Sequence, residues 1–472
     1  MPINIMNDDT ICALATAQGI GAIAIIRVSG KQSFPIVNAL FRHNGRPLVI
    51  DSIISHKAYF GQIMDDEQVL DEVLVTFFKG PHSFTGEDSA EISIHGSVYV
   101  QQRLVELLIA HGARMAEAGE YTRRAFVNGR FDLAQAEAVA DLIASQNEAT
   151  HKVAMNQMRG GFSKELQALR SQLLDITSLM ELELDFSEED VEFADRSQLT
   201  TLVGQAIQHI SRLADSFRLG NAIKNGIPVA IVGTTNTGKS TLLNALLGEE
   251  RAIVSDIAGT TRDTIEETLN IGGVLFRFID TAGLRQTDET IEQIGIERSY
   301  KKLSEADIVI GMLDLTSGYD AMLHAASDII EKLRFDQQHL ILVLNKVDRL
   351  ETEFNKTEEL REDLHLGDNQ SDIIVISAKK KLGLDQLKHC LSSLQKNYAG
   401  EATLVTNLRH FEALCQALDS LKIVEKGLEE QIPTDLVAQD LRLCLYHLGS
   451  ITGEVTTDEV LGNIFGKFCI GK

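Results

Sequence analysis

The central part of the chain contains the apolar run Pro228-Val-Ala-Ile-Val232, followed directly by Gly233-Thr-Thr-Asn-Thr-Gly-Lys-Ser240, and these residues indicate its fold. A short apolar run predicts a buried strand, and Thr241–Leu247 has the composition of a helix. Between them stands the pattern GxxxxGK[ST], whose glycines let backbone N–H groups surround phosphates at a helix N-terminus. We therefore predict a phosphate-binding loop, with Lys239 on the β- and γ-phosphates and Ser240 on Mg²⁺.

Further strands and helices alternate on the C-terminal side of this loop, to about residue 394. Strands are predicted at 228–232, 274–280, 307–314, 340–345 and 373–376. Such alternation predicts a mostly parallel sheet with helices on both faces.

Three short motifs follow these strands, where open α/β sheets bind their ligands. Asp280-Thr-Ala-Gly283 suits an approach to Mg²⁺ and the γ-phosphate. Asn345-Lys-Val-Asp348 supplies an aspartate that can accept from N1–H and the 2-amino group of guanine, a donor pair that adenine lacks. Ser377-Ala-Lys379 would support the same base. The motifs therefore predict GTP rather than ATP as the nucleotide.

The segment Ala258-Gly-Thr-Thr-Arg-Asp263 suits a switch loop, with Thr260 and Thr261 as candidates to complete the Mg²⁺ shell. Leu284 stands where many GTPases have a water-orienting glutamine, so the catalytic group must come from elsewhere. Glu292 is our candidate, acting through a bridging water as base or orienter, although a solvated helix residue would have the same spacing. Asn236 could help to hold a monovalent cation that replaces an arginine finger.

The predicted nucleotide-binding residues are therefore Asn236, Thr237, Gly238, Lys239, Ser240, Thr241, Ser255, Asp256, Ile257, Ala258, Gly259, Thr260, Thr261, Asp280, Thr281, Ala282, Gly283, Asn345, Lys346, Asp348, Ser377, Ala378 and Lys379.

The sequence on either side of this α/β part predicts different secondary structure. Residues 1–120 indicate mixed strands and helices, with strands near 21–28, 69–78 and 90–95 and a helix at 97–111. Helical patterns cover 132–184 and 405–450, so the α/β part looks inserted between two helical segments that could form one domain. The acidic stretch 185–193 is interpreted as a solvated loop or helix start.

Length and charge limit the class of protein. A chain of 472 residues suggests about three domains at roughly 150 residues each. Its net charge of −24 excludes a general nucleic-acid coat, because phosphate binding needs a positive surface. No apolar run approaches the roughly 20 residues of a membrane span, and the N-terminus is no secretory signal, so a cytoplasmic protein is expected. The five scattered cysteines favour a reducing compartment, and a buried, inert Cys469 is the simplest interpretation of that residue.

Several blocks together resemble the tRNA-modification GTPase family MnmE, also called TrmE. They are Arg27-Val-Ser-Gly30, Ser83-Phe-Thr-Gly-Glu-Asp88, Gly119-Glu-Tyr-Thr-Arg-Arg-Ala-Phe126, Asp132-Leu-Ala-Gln-Ala-Glu-Ala138, the nucleotide motifs and the terminal Phe468-Cys-Ile-Gly-Lys472. The resemblance implies a multidomain α/β protein with a P-loop GTPase domain inserted in an α-helical domain, after an N-terminal α+β folate-binding domain. The expected boundaries are 1–122 (folate binding and dimerisation), 123–222 (helical, first part), 223–397 (G domain) and 398–472 (helical, second part).

The resemblance also implies a function and a set of site residues. Members act as homodimers with the flavoprotein MnmG and modify carbon 5 of the wobble uridine of tRNA. They use a tetrahydrofolate one-carbon unit, FAD held by the partner, and GTP hydrolysis stimulated by K⁺ when two G domains meet. Transferred by motif, these roles give Glu292 as the catalytic residue, Ser240 and Thr261 for Mg²⁺, Asn236, Ser255, the Ile257 carbonyl and Thr260 for K⁺, and Arg27, Glu91, Arg130 and Lys472 for folate.

Two alternatives stay open at this point. One is a GTP-switched RNA-binding or ribosome-assembly factor whose first 120 residues are a docking module. The other is a stress or redox scaffold, motivated by the −24 charge and Cys469.

Overall fold

The structure is a computed structural model of the chain. It describes residues 9–185, 196–249, 267–279, 303, 306–335, 338–351, 354–367, 371–394, 403–466 and 468–471. The chain folds as two compact units. Unit 1 comprises Met1–Ala144, Ala154–Ile210 and Glu412–Lys472, and unit 2 comprises Ser145–Val153 and Ser211–Phe411.

Unit 1 contains a seven-stranded mixed sheet in the described part of the chain, in the order β3-β4-β5-β6-β2-β1-β7. Its strands are β1 Thr10–Leu14, β2 Ile23–Ser29, β3 Phe41–Arg42, β4 Lys57–Asp65, β5 Gln68–Phe78, β6 Ser89–His95 and β7 Ala113–Met115. Helices α1 Ser33–Leu40 and α2 Val98–Ala110 contribute buried side chains to the same core as the sheet. Alternate residues of β2 and β6, such as Ile26 and Ile92, are fully buried. For β6 this confirms the half-exposed strand predicted at 90–95, whereas β2, expected as a buried apolar run, is partly exposed at Ile25 and Arg27.

Unit 1 also contains long helices that are distant in sequence. They are α3 Glu120–Val127, α4 Leu133–Ala144, α5 Glu148–Met158, α6 Gly161–Asp185, α7 Arg196–Asn225, and later in the chain α12 Leu408–Glu429, α13 Thr434–Thr452 and α14 Asp458–Phe465. Three of them, α5, α7 and α12, continue into unit 2. Helix α6 buries Leu166, Leu169 and Leu173 at helical spacing and packs along α13, more than 250 residues later. The two helical segments therefore share one core, as the sequence suggested.

Unit 2 is built on a six-stranded sheet among the described residues, in the order β13-β12-β11-β8-β10-β9. Its strands are β8 Ile227–Val232, β9 Glu267–Ile271, β10 Val274–Ile279, β11 Ile308–Asp314, β12 His339–Asn345 and β13 Ser371–Val375. All neighbours pair in parallel except β9 with β10. The helices are α8 Lys239–Glu249, α9 Tyr319–Ile330, α10 Thr357–Asp363 and α11 Leu384–Leu394.

Helices cover both faces of the unit 2 sheet. Along β12, Ile341 and Val343 join one core with α8 and α11, whereas Leu342 and Leu344 join a second core with α9 and α10. Because successive residues of a strand point to opposite faces, these are the two sides of one sheet. The predicted doubly covered parallel sheet is confirmed, with one antiparallel edge strand, β9, that the sequence did not suggest.

Among the described residues, no helix combines the length and the apolar character required to cross a membrane.

Candidate functional site

The phosphate loop lies between the end of β8 and the start of α8, as predicted. Gly233 has φ +151° and Gly238 has φ +100°, and a Cβ at either position would overlap its surroundings, the Met312 carbonyl and Asn345 Nδ2 respectively. Asn236 is exposed and left-handed, with φ 62°. The two glycines are thus needed for both conformation and space, and the loop delivers its backbone to the N-terminus of an 11-residue helix.

The side chain of Lys239 crosses the interior of this loop. Its Nζ donates to the Gly233 carbonyl at 2.7 Å and to the Thr234 carbonyl at 2.8 Å. Thr237 Oγ1 closes the same loop by donating to the Thr234 carbonyl at 2.9 Å. Burial lowers the pKa of the Lys239 ammonium, because desolvation disfavours its charge. An anion bound in the loop would offset this desolvation and favour the charged form.

Asn345 acts as a clamp between two loops. Its buried amide donates from Nδ2 to the Thr237 carbonyl at 2.8 Å and accepts at Oδ1 from the Ala378 backbone at 3.0 Å. The phosphate loop is thereby tied to the Ser377-Ala-Lys379 segment through one side chain. The sequence predicted Asn345 as a nucleotide contact, and the structure shows that both ends of its amide are engaged in holding the loops.

The predicted guanine-reading side chain lies beside this clamp. Ser377 Oγ donates to Asp348 Oδ1 at 2.5 Å, and the Lys380 backbone donates to the same hydroxyl at 3.1 Å. The hydrogen bond from Ser377 is the largest cause that holds the pKa of Asp348 below its usual value, so the carboxylate is ionised at neutral pH. Asp348 and Lys379 are exposed, whereas Ser377 and Ala378 are buried.

The structure therefore brings the phosphate loop, Asn345-Lys-Val-Asp348 and Ser377-Ala-Lys379 together at the carboxyl ends of parallel strands. The other predicted nucleotide, metal and catalytic residues lie outside the described residues: Ser255, Asp256, Ile257, Ala258, Gly259, Thr260, Thr261, Asp280, Thr281, Ala282, Gly283 and Glu292. Lys472 of the proposed folate set also lies outside them.

In unit 1, two of the residues predicted to bind folate are paired with each other. Arg27 and Glu91 face each other across β2 and β6, and both Arg27 Nε and Nη2 donate to Glu91 Oε1, at 3.0 and 2.8 Å. The Arg27 guanidinium also lies 5.1 Å from the Phe84 ring centroid and 5.5 Å from that of Tyr121. The pair presents a cation, a carboxylate and two aromatic rings in one place. The exposed Arg130 adjoins Gly86 of the same loop as Phe84.

The motif Gly119-Glu-Tyr-Thr-Arg-Arg-Ala-Phe126 contains a buried ion cluster that sequence reasoning missed. Glu120 is fully buried and accepts from Arg114 Nη2 at 2.6 Å and from Arg124 Nη2 at 2.9 Å. Arg124 also reaches Glu87, and Arg114 and Arg124 both reach Asp9. Burial by itself would raise the pKa of Glu120, but the bonds from Arg114, the Glu117 backbone and Arg124 outweigh it and keep that pKa below its usual value.

This cluster ties several of the sequence blocks together. Ser29 Oγ contacts Thr85 Oγ1 at 2.7 Å and donates to Glu87 Oε2 at 2.8 Å, and Tyr121 Oη donates to the Arg27 carbonyl at 2.8 Å. Arg27-Val-Ser-Gly30, Ser83-Phe-Thr-Gly-Glu-Asp88 and the Glu120 segment are thus neighbours. The sequence did contain a signal for this ion cluster, because Glu120 has Arg114 six residues before it and Arg124 four residues after it.

The C-terminal residues lie along the N-terminal sheet of unit 1. Ile470 forms an antiparallel bridge with Ala118, and a Cβ at Gly471 (φ +97°) would overlap the Leu14 carbonyl. Phe468 packs near Phe465. Cys469 is exposed, so the expectation of a buried cysteine was wrong: the bridging backbone places this side chain in solvent.

A phosphate loop, a guanine-type Asn-Lys-x-Asp segment and a supporting Ser-Ala-Lys segment at the carboxyl edge of a parallel sheet place unit 2 in the class of P-loop GTPase domains. The family models described as "GTP-binding protein TrmE N-terminus" and "MnmE helical domain" match residues 10–130 and 133–469. The chain belongs to the MnmE (TrmE) family.

Curated relatives extend this match along the whole chain. A protein of Bacteroides fragilis strain YCH46 named "tRNA modification GTPase MnmE" is 53% identical over 99% of this chain and 100% of its own length. A protein of the same name from Flavobacterium johnsoniae is 52% identical, with the same coverage of both chains. Among solved structures, the FeoB G-domain from Methanococcus jannaschii is 25% identical over 36% of this chain and 98% of its own, with a TM-score of 0.26.

Proposed function

We propose that this chain hydrolyses GTP in a K⁺-stimulated cycle in which two G domains dimerise. With the flavoprotein MnmG, it would modify carbon 5 of the wobble uridine of tRNA in the cytoplasm, using a tetrahydrofolate one-carbon unit and FAD held by the partner. The observation that carries the proposal is 53% identity along 99% of the chain with relatives named tRNA modification GTPase MnmE. The guanine-type elements gathered around one phosphate loop support it independently.

In this proposal the described side chains of unit 2 bind and orient GTP. Backbone amides of residues 233–240 and the α8 N-terminus hold the phosphates, and Lys239 adds positive charge from within the loop. Asp348, kept ionised and fixed by Ser377, accepts from the guanine edge. The Asn345 clamp keeps the phosphate and base sites in register.

The donor atoms proposed for the metal ions fit their chemistry. Hydroxyl, amide and carbonyl oxygens are the ligands that Mg²⁺ and alkali ions prefer. Ser240 and Thr261 would hold Mg²⁺, and Asn236, Ser255, the Ile257 carbonyl and Thr260 would hold K⁺. When bound, these ions neutralise charge on the phosphates. Of these residues Asn236 and Ser240 are described, both exposed at the loop.

The folate site of the proposal centres on Arg27, Glu91, Arg130 and Lys472. The guanidinium groups suit the carboxylates of a folate glutamate tail, and Glu91 suits the amino edge of a pterin. The Arg27–Glu91 pair, 21% and 30% exposed at the side chains, is accessible to such a ligand. A reduced folate should therefore bind saturably, and Arg27→Ala should weaken its binding as measured by calorimetry.

Glu292 is proposed to orient or activate the attacking water. Glu292→Ala should slow hydrolysis roughly 10²-fold while leaving nucleotide affinity nearly intact, as expected for a lost general base. Single-turnover hydrolysis and fluorescent GDP binding measure the two effects separately. Glu297→Ala, in the same segment, is the control. Parallel losses of binding and turnover would reject the catalytic role.

The function as a whole is tested by nucleoside mass spectrometry of tRNA from cells that lack this protein. Modified wobble uridine should disappear, and it should return with the wild-type gene but not with Lys239→Ala. In vitro, turnover should fall when K⁺ is replaced by Na⁺. Unchanged nucleosides together with intact GTP hydrolysis would instead favour a GTP-switched RNA-binding or ribosome-assembly factor.

A further inference from the structure

The ends of β11 and β12 lie side by side at the base of the guanine site. Asp314 and Asn345, the last residues of these strands, are partners in the parallel register. Lys346 follows with left-handed backbone, φ 72°, and Asp348 comes two residues later. A left-handed lysine is uncommon, and here it turns the side chain back over the end of the neighbouring strand.

The side chain of Lys346 is held by Asp314. Lys346 Nζ donates to Asp314 Oδ2 at 2.5 Å, and the two side chains are 20% and 21% exposed. The other oxygen, Oδ1, accepts from the Thr316 backbone at 2.9 Å and from Thr316 Oγ1 at 2.7 Å. Both carboxylate oxygens are therefore engaged, one by the turn after β11 and one by the lysine.

The ionised state of Asp314 follows from these contacts. Burial would raise its pKa, but the bonds from Lys346 and Thr316 outweigh burial and hold the pKa below its usual value. Near neutral pH the ammonium of Lys346 is paired before any nucleotide arrives. What Lys346 can offer a ligand is then mainly its four-carbon stem.

We propose that Asp314 is a positioning residue for the guanine base. It holds Lys346 across the strand ends, so that the lysine stem forms a wall against one face of the ring while Asp348 reads the ring edge. This inference rests on the proposed binding of GTP and adds to that site a residue that contributes to affinity for the base. The ion pair orders the Lys346 side chain before the nucleotide binds, so that binding does not have to supply the entropy cost of ordering it.

The contact of Lys346 with the ring face and the contact of Asp348 with the ring edge have different consequences for base selectivity. Guanine and hypoxanthine share the ring face but differ in the 2-amino group. A loosened wall should therefore weaken GDP and inosine diphosphate by the same factor. A changed edge contact at Asp348 should alter the ratio of the two affinities.

The test measures binding of fluorescent GDP and inosine diphosphate to the full chain. Asp314→Asn keeps Oδ1 for Thr316 but removes the charge that holds Lys346. It should weaken both ligands about tenfold, in line with the loss of a charge-assisted hydrogen bond. Lys346→Met should do the same, and the double variant should be no weaker than Lys346→Met alone. Ser317→Ala removes a hydrogen bond of the same turn to the Asp314 backbone carbonyl and none to its carboxylate, so this variant should bind as the wild type does.

Three outcomes would overturn the assignment. They are unchanged affinity in Asp314→Asn, losses that multiply in the double variant, and a loss in Ser317→Ala equal to that in Asp314→Asn. A wild-type chain that binds neither nucleotide would reject the proposed GTP function itself. Thermal unfolding of each variant separates lost binding from lost folding.

Discussion

In the proposed function, single side chains determine which base unit 2 selects. Asp348 is exposed, ionised and fixed by Ser377, an arrangement that keeps its acceptors available while restricting its rotamers. Asn345, three residues earlier, is buried, and its amide hydrogen-bonds to the backbone of both loops. Within four residues, one polar side chain thus holds the loops together and another is exposed where the base is proposed to bind.

Asp348→Asn should weaken GDP binding by about tenfold or more. The substitution replaces a pair of acceptors by one acceptor and one donor, so one of the two guanine donors loses its partner. Equilibrium binding of fluorescent GDP measures the loss. Asp320→Asn, an exposed aspartate of α9 in the same unit, should leave affinity unchanged. Equal affinities in wild type and Asp348→Asn would show that this aspartate does not read the base.

Short elements set the geometry in which those side chains act. The phosphate loop is held by two glycines in conformations that other residues avoid, by Lys239 across its interior and by Asn345 from outside. In unit 1, the segment 119–126 is held by the buried carboxylate of Glu120 between two arginines. Each element therefore depends on a few positions that tolerate little change.

Gly238→Ala should abolish nucleotide binding without unfolding unit 2. Its Cβ would overlap Asn345 Nδ2, and φ +100° is strained for alanine, so the clamp between the loops must open. Calorimetric titration with GDP measures the effect. Gly248→Ala is a matched control in α8, because its Cβ would meet no atom within 4 Å and alanine favours helix by about 1 kcal/mol. Retained GDP binding in Gly238→Ala would contradict the clamp.

Glu120→Gln should destabilise the fold around α3 by about 3–5 kcal/mol at pH 7, because two arginines lose their buried counter-charge. The folded pKa of Glu120 lies below the ordinary 4.5, so its stabilisation is present above that pH and is lost as the pH falls through the folded value. Wild type should thus lose protection on acidification below about pH 4.5, and the variant should lose less.

Hydrogen exchange of residues 114–127 at pH 7 and pH 4 reports this difference locally. The control is Glu106→Gln, whose carboxylate is 65% exposed and pairs with Arg103 at the surface. If the two variants exchange alike at pH 7, the cluster does not stabilise the segment.

Over the whole molecule, remote parts of the chain complete the N-terminal domain of unit 1. Residues 468–471 follow the last helix and reach the end of β1, where Ile470 pairs with Ala118 and Gly471 adjoins Leu14. Leu14 is the register neighbour of Ile26, next to Arg27. The C-terminal segment therefore contributes to the surroundings of the proposed folate site.

Gly471→Val should weaken binding of a reduced folate at least tenfold and leave GDP binding unchanged. A β-branched side chain at φ +97° would overlap the Leu14 carbonyl and displace the segment from β1. Calorimetry with 5-formyltetrahydrofolate and with GDP on the same preparation provides the comparison, with GDP as the internal control. Normal folate affinity in this variant would remove the C-terminal segment from the site.

The strands and the phosphate loop of unit 2 could be predicted because their signals are local. An apolar run, two glycines, a lysine and a helix lie within about 25 residues. Their spacing along the chain is enough to predict a strand, a phosphate loop and a helix in this order. The predicted strand bounds differ from the observed ones by only one or two residues. Strands β1, β3, β4, β7 and β9 were missed, since β1, β3, β7 and β9 have at most five residues and the nine residues of β4 include Lys57, Gly61 and Gln62.

The contacts between polar groups that are distant in sequence became visible in the folded structure alone. Asn345 reaches Thr237 over 108 positions, Arg27 reaches Glu91 over 64, and Arg124 reaches Asp9 over 115. Such contacts depend on strand order and on the packing of distant helices, which no local pattern encodes. The sequence alone was enough to identify the family and the phosphate loop and to propose Asp348 as the base-reading residue, because backbone conformation and chemical type suffice for these. The Asn345 clamp, the Asp314–Lys346 pair and the exposed Cys469 exist only after the chain has folded.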